Sequence, residues 1–479
     1  MVRGVAFAAL TALLLAGCSS SQLASNIKLP PEKPKQAEMT PAAQREHNRI
    51  LAAYGGAYED AALEKLTGGI VDKLVAASDR PDLAYRVTIL NSPAINAFAL
   101  PGGQLYITRG LLALSNDNAE LASVLSHEMA HVIAQHAAMR EDKARQAAIV
   151  SRVNSDVLND PQNGALALAK SKIALASFSR QQEFEADGIG VGIASRAGYD
   201  PYGAVRFLSA MGRNAALKPA ARTGDDPRSL DFLSSHPNTP ERVRNAQVSA
   251  RQFSAPGAGQ RDRQVYLAGI DGMVYGEDPS EGFVRGRRFL HPKLGFTFMA
   301  PDAFALDNTA QAVLGLKDNG NQAMRVDVVR VPGDQSLAAY LKSGWLENID
   351  ANSVEEFELN GLPAATAMAK GDGWEFRLYA VRFGSDVYRF IYAAKARSAE
   401  IDRSFRESVG TFRRMSLSEI EQAKPLKLKV VTVESGDTID KLVAKMAVSD
   451  RPMERFLVLN GLEAGERLKP GDQVKIVVE

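Results

Sequence analysis

The sequence predicts a multidomain chain: a mostly α-helical part with a small β-hairpin comes first, an α+β domain follows, and a small βααβ module comes last. The length of 479 residues exceeds that of one ordinary domain, so two or three separate cores are expected. Hydrophobic residues make up 45% and charged residues 24% of the chain, a balance typical of folded globular domains. The third observation is a change of pattern, because helical periodicity dominates residues 41–252 and strand-like runs dominate after residue 265.

The charge of the chain argues against one class of partner. The formal net charge is +1, and the Lys and Arg residues are spread along the whole sequence without a dense basic block. Such a chain creates no large electrostatic field that would attract a polyanion. We therefore expect no nucleic-acid partner.

Residues 1–18 are typical of a bacterial signal peptide. Arg3 supplies a short positive region, and residues 5–16 form an apolar stretch that is too short to span a bilayer as a mature helix. The stretch ends in Leu15-Ala16-Gly17-Cys18, which resembles a lipobox, the motif whose cysteine becomes the lipidated first residue of the mature protein. The resemblance implies that acyl chains on Cys18 anchor the protein, and Ser19 favours the outer membrane. An ordinary secretory signal with an incidental cysteine is the alternative. Since Cys18 is the only cysteine, no intramolecular disulfide can form.

Composition sets the remaining boundaries. A polar run that contains Pro and Lys is expected to be a flexible tether, and a later run that contains Pro and Gly is expected to be a linker. The predicted order is a tether at 19–40, the first domain at 41–252, the linker at 253–264, the α+β domain at 265–420 and the βααβ module at 428–479. Within the α+β domain no motif indicates a particular chemistry.

The strongest chemical motif is His127-Glu128-Met129-Ala130-His131. Residues 119–139 contain no Gly or Pro and are rich in Ala, Leu and Met, so they are expected to be helical. Four positions along a helix correspond to about 400° of rotation, so His127 and His131 project from one face and can bind one ion. Imidazole is a favoured zinc donor, and Glu128 is placed to act on a water molecule as a general base. The pattern is typical of a zinc hydrolase, and the alternative is a pair of buried, hydrogen-bonded core histidines.

A catalytic zinc ion needs a third protein ligand and one open position, so another ligand is expected elsewhere in the chain. Residues 179–187 open a second helix that contains Glu183, Glu185 and Asp187. The residue types alone leave all three as candidates. Helix spacing puts Glu183 and Asp187 on one face, and it turns Glu185 about 160° away from the side of Asp187.

Together these two segments resemble the HtpX and BepA type of gluzincin metallopeptidases, whose signature pairs a His-Glu-x-x-His helix with a later Glu-x-x-Ala-Asp helix. The resemblance covers about residues 40–250 and implies a zincin-like peptidase domain with one Zn²⁺ ion per chain. It also implies that Glu183 is the third zinc ligand and that Asp187 holds a ligating histidine in the correct orientation. The segment 140–176, between the two helices, is placed to cover the cleft.

The same family resemblance extends to a hairpin ahead of the zinc helix. Residues 96–103 and 105–111 match the segments that form this hairpin in the family. The resemblance implies a substrate-binding edge at Asn96, Ala97 and Phe98, to which an extended peptide would add through main-chain hydrogen bonds. A purely structural hairpin is the alternative.

Of the other histidines, only His236 matches a family position. It precedes Pro237 and resembles a histidine that can approach the zinc ion and displace the water. The resemblance makes His236 a candidate regulatory fourth ligand, and a helix-cap or surface role is the alternative. His136 lies about 140° further round the helix than His131 and is expected not to be a ligand. His47 and His291 are expected to be ordinary surface or core residues.

The last part of the chain resembles a different family. Residues 431–439, 459–462 and 468–476 are similar to a LysM repeat, a family that binds glycans containing N-acetylglucosamine. The resemblance implies peptidoglycan as a partner of residues 428–479. A scaffold without glycan binding is the alternative.

These resemblances combine into one expected function. They imply a zinc-dependent metalloendopeptidase, lipid-anchored in the cell envelope of a Gram-negative bacterium at the outer membrane and facing the periplasm. Its expected substrates are misfolded or misassembled periplasmic and outer-membrane proteins. The alternative is an assembly chaperone or a peptidoglycan-attached scaffold whose zinc site is held shut by His236.

Overall fold

The computed structural model describes residues 39–140, 142, 178–217, 232–237, 240–309, 311–317, 320–343, 348–448 and 450–479. The expected signal peptide with Cys18, the tether, and nearly all of the expected cleft cover at 140–176 lie outside these residues. No helix in the described part of the chain combines the length and the apolar character that a membrane span requires.

The first part of the chain is mostly helical around a small sheet. Its helices are α1 (Pro41–Ala53), α2 (Ala61–Ala77), α3 (Arg109–Leu114), α4 (Asn118–Ile133), α5 (Arg180–Arg196), α6 (Gly203–Ala216), α7 (Phe232–Ser235) and α8 (Pro240–Phe253). Its strands are β1 (Arg86–Leu90), β2 (Ala97–Leu100) and β3 (Gln104–Thr108). The sheet order is β1-β3-β2, with β1 parallel and β2 antiparallel to β3. Strand β2 is therefore an edge strand.

Side-chain caps fix where the two principal helices begin. The Asp117 carboxylate accepts a hydrogen bond from the backbone N–H of Glu120 and so caps α4. Ser179 and Gln182 form a reciprocal capping box at the start of α5. Each cap satisfies backbone N–H groups that have no partner inside the helix.

Two glycines allow α5 and α6 to approach α4 closely. A Cβ atom on Gly190 of α5 would lie 2.9 Å from the backbone nitrogen of His127, and one on Gly203 of α6 would lie 2.3 Å from the carbonyl oxygen of Ala119. Real Cβ atoms do not make such contacts, so any larger residue would push the helices apart. The close approach leaves α4 buried from Asn118 to His131.

The middle part of the chain is β-rich. Its strands are β5 (Phe283–Arg285), β6 (Arg288–His291), β7 (Phe296–Met299), β8 (Phe304–Asn308), β9 (Val313–Lys317), β10 (Gln322–Arg330), β11 (Ile349–Leu359), β12 (Leu362–Gly371), β13 (Trp374–Phe383), β14 (Asp386–Ala394) and β15 (Arg413–Arg414). Helices α10 (Leu337–Leu341), α11 (Ala399–Gly410) and α12 (Leu417–Gln422) complete it. One sheet has the order β11-β12-β13-β14-β10-β9-β8, and a second has the order β15-β7-β6-β5.

The last part of the chain follows the predicted β-α-α-β order. Its elements are β16 (Leu426–Thr432), α13 (Ile439–Val443), α14 (Pro452–Asn460) and β17 (Gln473–Val478). Strand β16 pairs with β17 on one side and with β4 (Val274–Tyr275) on the other. Since β4 precedes the middle part and β16 follows it, the middle part is an insertion between two neighbouring strands of one sheet.

The core of the first part continues into the last part. Helix α9 (Arg263–Ile270) contributes Tyr266 and Leu267 to the same buried cluster as Leu125 of α4 and Val477 of β17. The boundary expected at residue 265 falls inside this shared core. Within the expected linker at 253–264, the carbonyl oxygen of Arg261 accepts a hydrogen bond of 2.8 Å from the backbone nitrogen of Asn118.

The coarse prediction of the fold class is confirmed: the chain is multidomain, with a helical first part and a large β-rich later part.

The close crossing at Gly190 generates a prediction. Gly190→Ala should destabilise the first part by about 1–3 kcal/mol, because the new methyl group forces the backbones of α5 and α4 apart. Gly188→Ala is the matched control, because an added Cβ at this position of the same helix would meet nothing within 4 Å. That control should stabilise the helix by about 0.5–1 kcal/mol, since glycine costs entropy there. Thermal unfolding followed by circular dichroism measures both, and equal shifts in the two variants would contradict the interpretation.

Candidate metal centre

Four buried side chains converge where α4, α5 and the segment after α7 meet. His127, His131, Glu183 and His236 each offer one donor atom, and these atoms lie within 4.8 Å of one another. The Nε2 atoms of His127 and His131 are 3.1 Å apart, as expected for residues one helical turn apart. The Glu183 carboxylate of α5 lies 3.6 Å from each of these nitrogens.

The donor separations fit a tetrahedral metal. With metal–nitrogen bonds of about 2.0–2.1 Å, tetrahedral ligand atoms are about 3.3 Å apart. The Nδ1 atom of His236 is 3.3 Å from Nε2 of His127 and 3.0 Å from a Glu183 oxygen, so it completes the set at similar spacing. Burial, followed by the neighbouring His127 imidazole, lowers the pKa of His131 far below its usual value and so keeps the ring neutral. Neutral imidazoles and a carboxylate are zinc donors, so this group is able to bind a metal ion and is consistent with one zinc ion.

A buried carboxylate and guanidinium orient the first imidazole. The Nδ1 atom of His127 lies 3.0 Å from Asp187, one turn after Glu183 on α5. Arg242 of α8 donates to both Asp187 oxygens, at 2.8 and 2.7 Å, and approaches Glu183 at 2.6 Å. Burial alone would raise the pKa of the Asp187 carboxyl, but the hydrogen bonds from Arg242 and His127 hold it below its usual range. Arg242 therefore couples the expected ligand Glu183 to the residue that orients His127.

The second imidazole has a different partner, which the sequence did not indicate. The Nδ1 atom of His131 lies 3.0 Å from Nδ1 of the fully buried His136. Gln135 adopts a positive φ of 55°, which ends the helical path and brings His136 back beneath His131. His136 in turn lies 3.4 Å from the Glu185 carboxylate. His136 thus orients a candidate ligand without offering a donor to the metal group, and no local sequence signal marks the turn at Gln135.

Glu128 occupies the place between the donor group and the sheet. Its side chain is 2% exposed, and among the described residues its Oε1 atom has no hydrogen-bond partner; Nε2 of His236 lies 3.6 Å away. The backbone N–H of Ala99 in edge strand β2 donates to the carboxylate. Burial, and then the charge of Glu183, raise the pKa of Glu128 well above its usual value. A carboxylate of raised basicity next to a metal group and a free strand edge is suited to general-base chemistry on a bound peptide.

The expected substrate edge is partly buried. Asn96 is 5% exposed and donates to the Tyr54 hydroxyl at 2.8 Å, and Ala97 is fully buried. Phe98 stacks on Tyr106 with ring centroids 5.0 Å apart. These contacts of Asn96, Ala97 and Phe98 hold the strand against its neighbours.

Aromatic rings enclose His236. Phe232 stacks on its ring at a centroid distance of 4.4 Å, and the centroid of the Phe178 ring lies 5.1 Å from that of His236. The backbone N–H of Phe232 donates to the carbonyl oxygen of Ile95 at 2.9 Å, just ahead of the edge strand. The segment that carries His236 is therefore attached to the sheet beside the expected substrate edge.

The remaining histidines lie away from the metal group. His47 contacts the Tyr106 hydroxyl at 2.9 Å, and His291 is buried in the middle part. Burial lowers the pKa of His291 to about 4, so this ring is a neutral core residue.

The donor set generates a prediction about metal content. Glu183→Gln should weaken zinc binding by more than the ten- to hundredfold that loss of an orienting partner typically costs, because it removes the only carboxylate among the four donors. Glu241→Gln, which removes a half-exposed carboxylate next to Arg242 in the sequence, is the control and should keep one zinc ion per chain. Metal content after dialysis against a zinc buffer, measured by mass spectrometry, tests whether Glu183 is a zinc ligand. Full zinc content in Glu183→Gln would exclude this residue as a ligand.

Comparison with known proteins identifies the region that carries this centre. Residues 64–250 match the model of Peptidase family M48. The beta-barrel assembly-enhancing protease of Escherichia coli is 32% identical over 205 residues, which is 41% of this chain and 40% of that protein. The same-named protein of Yersinia pestis is 31% identical over 229 residues, 46% of this chain and 45% of its own length. The mitochondrial metalloendopeptidase OMA1 of Schizosaccharomyces pombe is 29% identical over 207 residues, 42% of this chain and 58% of that protein.

The similarity covers one region of this chain and only part of the length of each relative. The chain spans about two fifths to three fifths of the length of these relatives, and the middle and last parts lie outside the matched residues. Within those residues the family prediction is confirmed. Residues 64–250 form a Peptidase M48 domain, and this domain and the similar proteases support a zinc metallopeptidase of the HtpX and BepA type.

Proposed function

We propose that this chain is a zinc-dependent endopeptidase of the Gram-negative cell envelope that hydrolyses misfolded or misassembled periplasmic and outer-membrane proteins. The observation that carries the proposal is the position of Glu128, whose carboxylate lies between the four-donor group and the backbone of edge strand β2. The substrate class is supported by the relatives named beta-barrel assembly-enhancing protease.

The chemistry follows from the placement of these side chains. A zinc ion, when bound, acts as a Lewis acid toward the scissile carbonyl and makes water more acidic. Glu128 accepts a proton from the attacking water and passes it to the leaving amine. Burial lowers the pKa of both His127 and His131 and so keeps their rings neutral. Asp187 and His136 orient the two rings, so their donor nitrogens stay directed at one point.

The substrate is proposed to bind as an added strand along β2. Strand β2 has a partner only on its β3 side among the described strands, and its Ala99 N–H reaches Glu128. Because the Asn96 and Ala97 side chains are buried, they contribute through the backbone and through the rigidity of the edge. Main-chain pairing is independent of side-chain identity, which suits an enzyme that acts on many misassembled proteins.

His236 is proposed to be a built-in brake. Its Nδ1 atom lies at ligand spacing from His127 and Glu183, in the position that a catalytic zinc ion keeps open for water. With this residue as the fourth donor the site is closed, and catalysis requires the segment 232–236 to move. The stacking of Phe232 on His236 and the hydrogen bond to Ile95 hold that segment in place.

The remaining expectations are part of the same proposal. Lipidation of Cys18 would anchor the protein at the outer membrane, facing the periplasm, with residues 19–40 as a tether. Residues 428–479 would attach it to peptidoglycan, which is supported by the LysM-like sequence and the β-α-α-β order of its elements. Residues 41–252 are the proposed extent of the peptidase domain, and the role of the middle part at 265–420 stays open.

A second candidate function is supported by the four-donor group itself. If His236 never leaves, the zinc site is structural and the chain acts as an assembly chaperone or a wall-attached scaffold. The two functions differ in whether Glu128 is needed.

Replacing the proposed base tests this difference. Glu128→Gln should lower casein cleavage by about 10²–10⁴-fold, because no group then accepts the proton, while the zinc content stays at one ion per chain. Glu241→Gln, on α8 with a half-exposed side chain, is the control and should keep most activity. Cleavage rates and metal content are measured together. Full complementation of a deletion strain by Glu128→Gln would support the scaffold and contradict the peptidase.

Removing the proposed brake has the opposite effect. If His236 fills the fourth position about nine-tenths of the time, His236→Ala should raise casein cleavage about tenfold. His291→Ala, a histidine of the middle part, serves as the control and should leave the rate unchanged. A lower rate in His236→Ala with full zinc content would assign His236 to catalysis and overturn the brake.

A further inference from the structure

The last part of the chain places the fully buried amino group of a lysine against the first part. Lys475 of β17 has no exposed surface, and its Nζ atom donates to the carbonyl oxygens of Ala113 and Ser115, each at 2.7 Å. The carbonyl oxygen of Leu114 lies 3.5 Å from the same atom. A buried polar group of this kind is costly unless it is hydrogen-bonded, so this contact is specific to its partners.

The accepting carbonyls belong to the junction between α3 and the zinc helix α4. Ala113 and Leu114 end α3, whose last carbonyls have no partner inside the helix. Asn116 and Asp117 follow at once: the Asp117 carboxylate caps α4, and the Asn116 N–H donates to Glu120 at 2.8 Å. Lys475 therefore holds the segment that leads directly into the N-terminal cap of α4.

The junction also sets the distance between the two halves of the proposed active site. Strand β3 runs into α3 without a gap, at Thr108 and Arg109, and β3 carries edge strand β2 as its neighbour. Helix α4, on the other side of the junction, carries His127 and Glu128. A shift at residues 113–117 would thus move the metal-binding helix relative to the strand that is proposed to bind substrate.

Other contacts support the same arrangement. Arg263 of α9 donates to the Asn116 carbonyl oxygen at 3.0 Å and to the Gln473 carbonyl oxygen at 3.1 Å, so it bridges the junction and β17. Asn460 of α14 exchanges two hydrogen bonds with the backbone of Lys475, at 2.7 and 2.9 Å. The lysine backbone is fixed within its own module while its side chain reaches the peptidase domain.

We propose that Lys475 is a positioning residue of the peptidase, and that the C-terminal module at residues 426–478 is a fixed structural part of the active-site framework rather than an independent appendage. This rests on the proposed function of the domain at 64–250. The module acts through the α3–α4 junction, and none of its described residues hydrogen-bonds to the donor group or to Glu128.

The test uses Lys475→Met in the full chain, which keeps the length of the side chain and removes the donor. Lys429→Met is the matched control, because Lys429 lies on the neighbouring strand β16, opposite Ile476, and is exposed. The first readout is amide hydrogen exchange. In Lys475→Met the amides of residues 116–121 should exchange at least about tenfold faster, while those of β12 to β14 stay unchanged, because only the junction loses its anchor.

The second readout is the rate of casein cleavage at full zinc occupancy. Lys475→Met should lower kcat about tenfold or more with little change in KM, since a misplaced metal helix affects the reacting geometry more than substrate binding. Lys475→Arg, which keeps hydrogen-bond donors at this position, should restore part of kcat. A merely structural lysine would lower the amount of folded protein and leave kcat per folded zinc-bound molecule unchanged.

The two readouts separate the proposals. If the unchanged protein cleaves no casein, the proposed function fails and the exchange measurement still tests the role of Lys475. If Lys475→Met does not fold, Arg263→Met takes its place, because it removes the bridge from Asn116 to Gln473 at a half-buried side chain. Faster exchange confined to 116–121 supports the proposal in either variant. Unchanged exchange there, or an equal increase in every part of the chain, overturns it.

Discussion

The ion pair between Arg242 and the two carboxylates of α5 is the interaction on which the centre depends. Glu183 and Asp187 are both buried, and a single guanidinium contacts both of them. Buried charges are tolerated only in such complete sets, and loss of one partner typically costs about 3–5 kcal/mol because the other charge stays behind. Arg242 thereby keeps one carboxylate directed at the metal group and the other at the rear nitrogen of His127. Helix α8, although it offers no metal donor, is as necessary to the site as α4 and α5.

Close packing of backbones gives this ion pair its geometry. Gly190 brings α5 to within contact distance of α4 at His127, so that Glu183 and Asp187 reach the two sides of the same imidazole. A larger distance between α4 and α5 would move the two carboxylates away from the His127 imidazole, and the donor group would come apart. Gly190 thus allows the short distance between α4 and α5, and Arg242 stabilises it.

Sequence reasoning reached the parts of this centre that depend on local geometry. The spacing of His127 and His131 follows from helix rotation alone, and the structure brings their nitrogens together. The choice of Glu183 over Asp187 needed the family resemblance, because helix spacing puts both residues on one face and separates only Glu185 from them. The role of His136 was missed because its position was calculated as if the helix continued past Gln135, where a positive φ reverses the chain direction. The role of Arg242 was also missed, since α8 follows α5 by many residues and only tertiary packing brings them together.

The fold, like the site, has parts that the sequence predicts and parts that only tertiary packing determines. The order of a helical part, an α+β part and a β-α-α-β part is readable from periodicity, and the structure has that order. What the pattern does not contain is the pairing of β4 with β16, or a contact such as that of Lys475 with Ser115, which joins residues 360 positions apart. Composition marked 253–264 as a linker because it contains Pro and Gly, yet its Gln260 and Arg261 hydrogen-bond to the first part. The signal peptide, the lipid anchor and glycan binding stay predictions.

The pairing of β4 with β16 has a consequence for how such a chain can be assembled in evolution. Tyr275 faces Leu426 across the sheet, so the two points at which the middle part joins the rest are neighbours on adjacent strands, about 5 Å apart. A tight turn of a few residues could close that gap. A different insert could therefore take the place of the middle part without interrupting the segments that carry the four donor side chains.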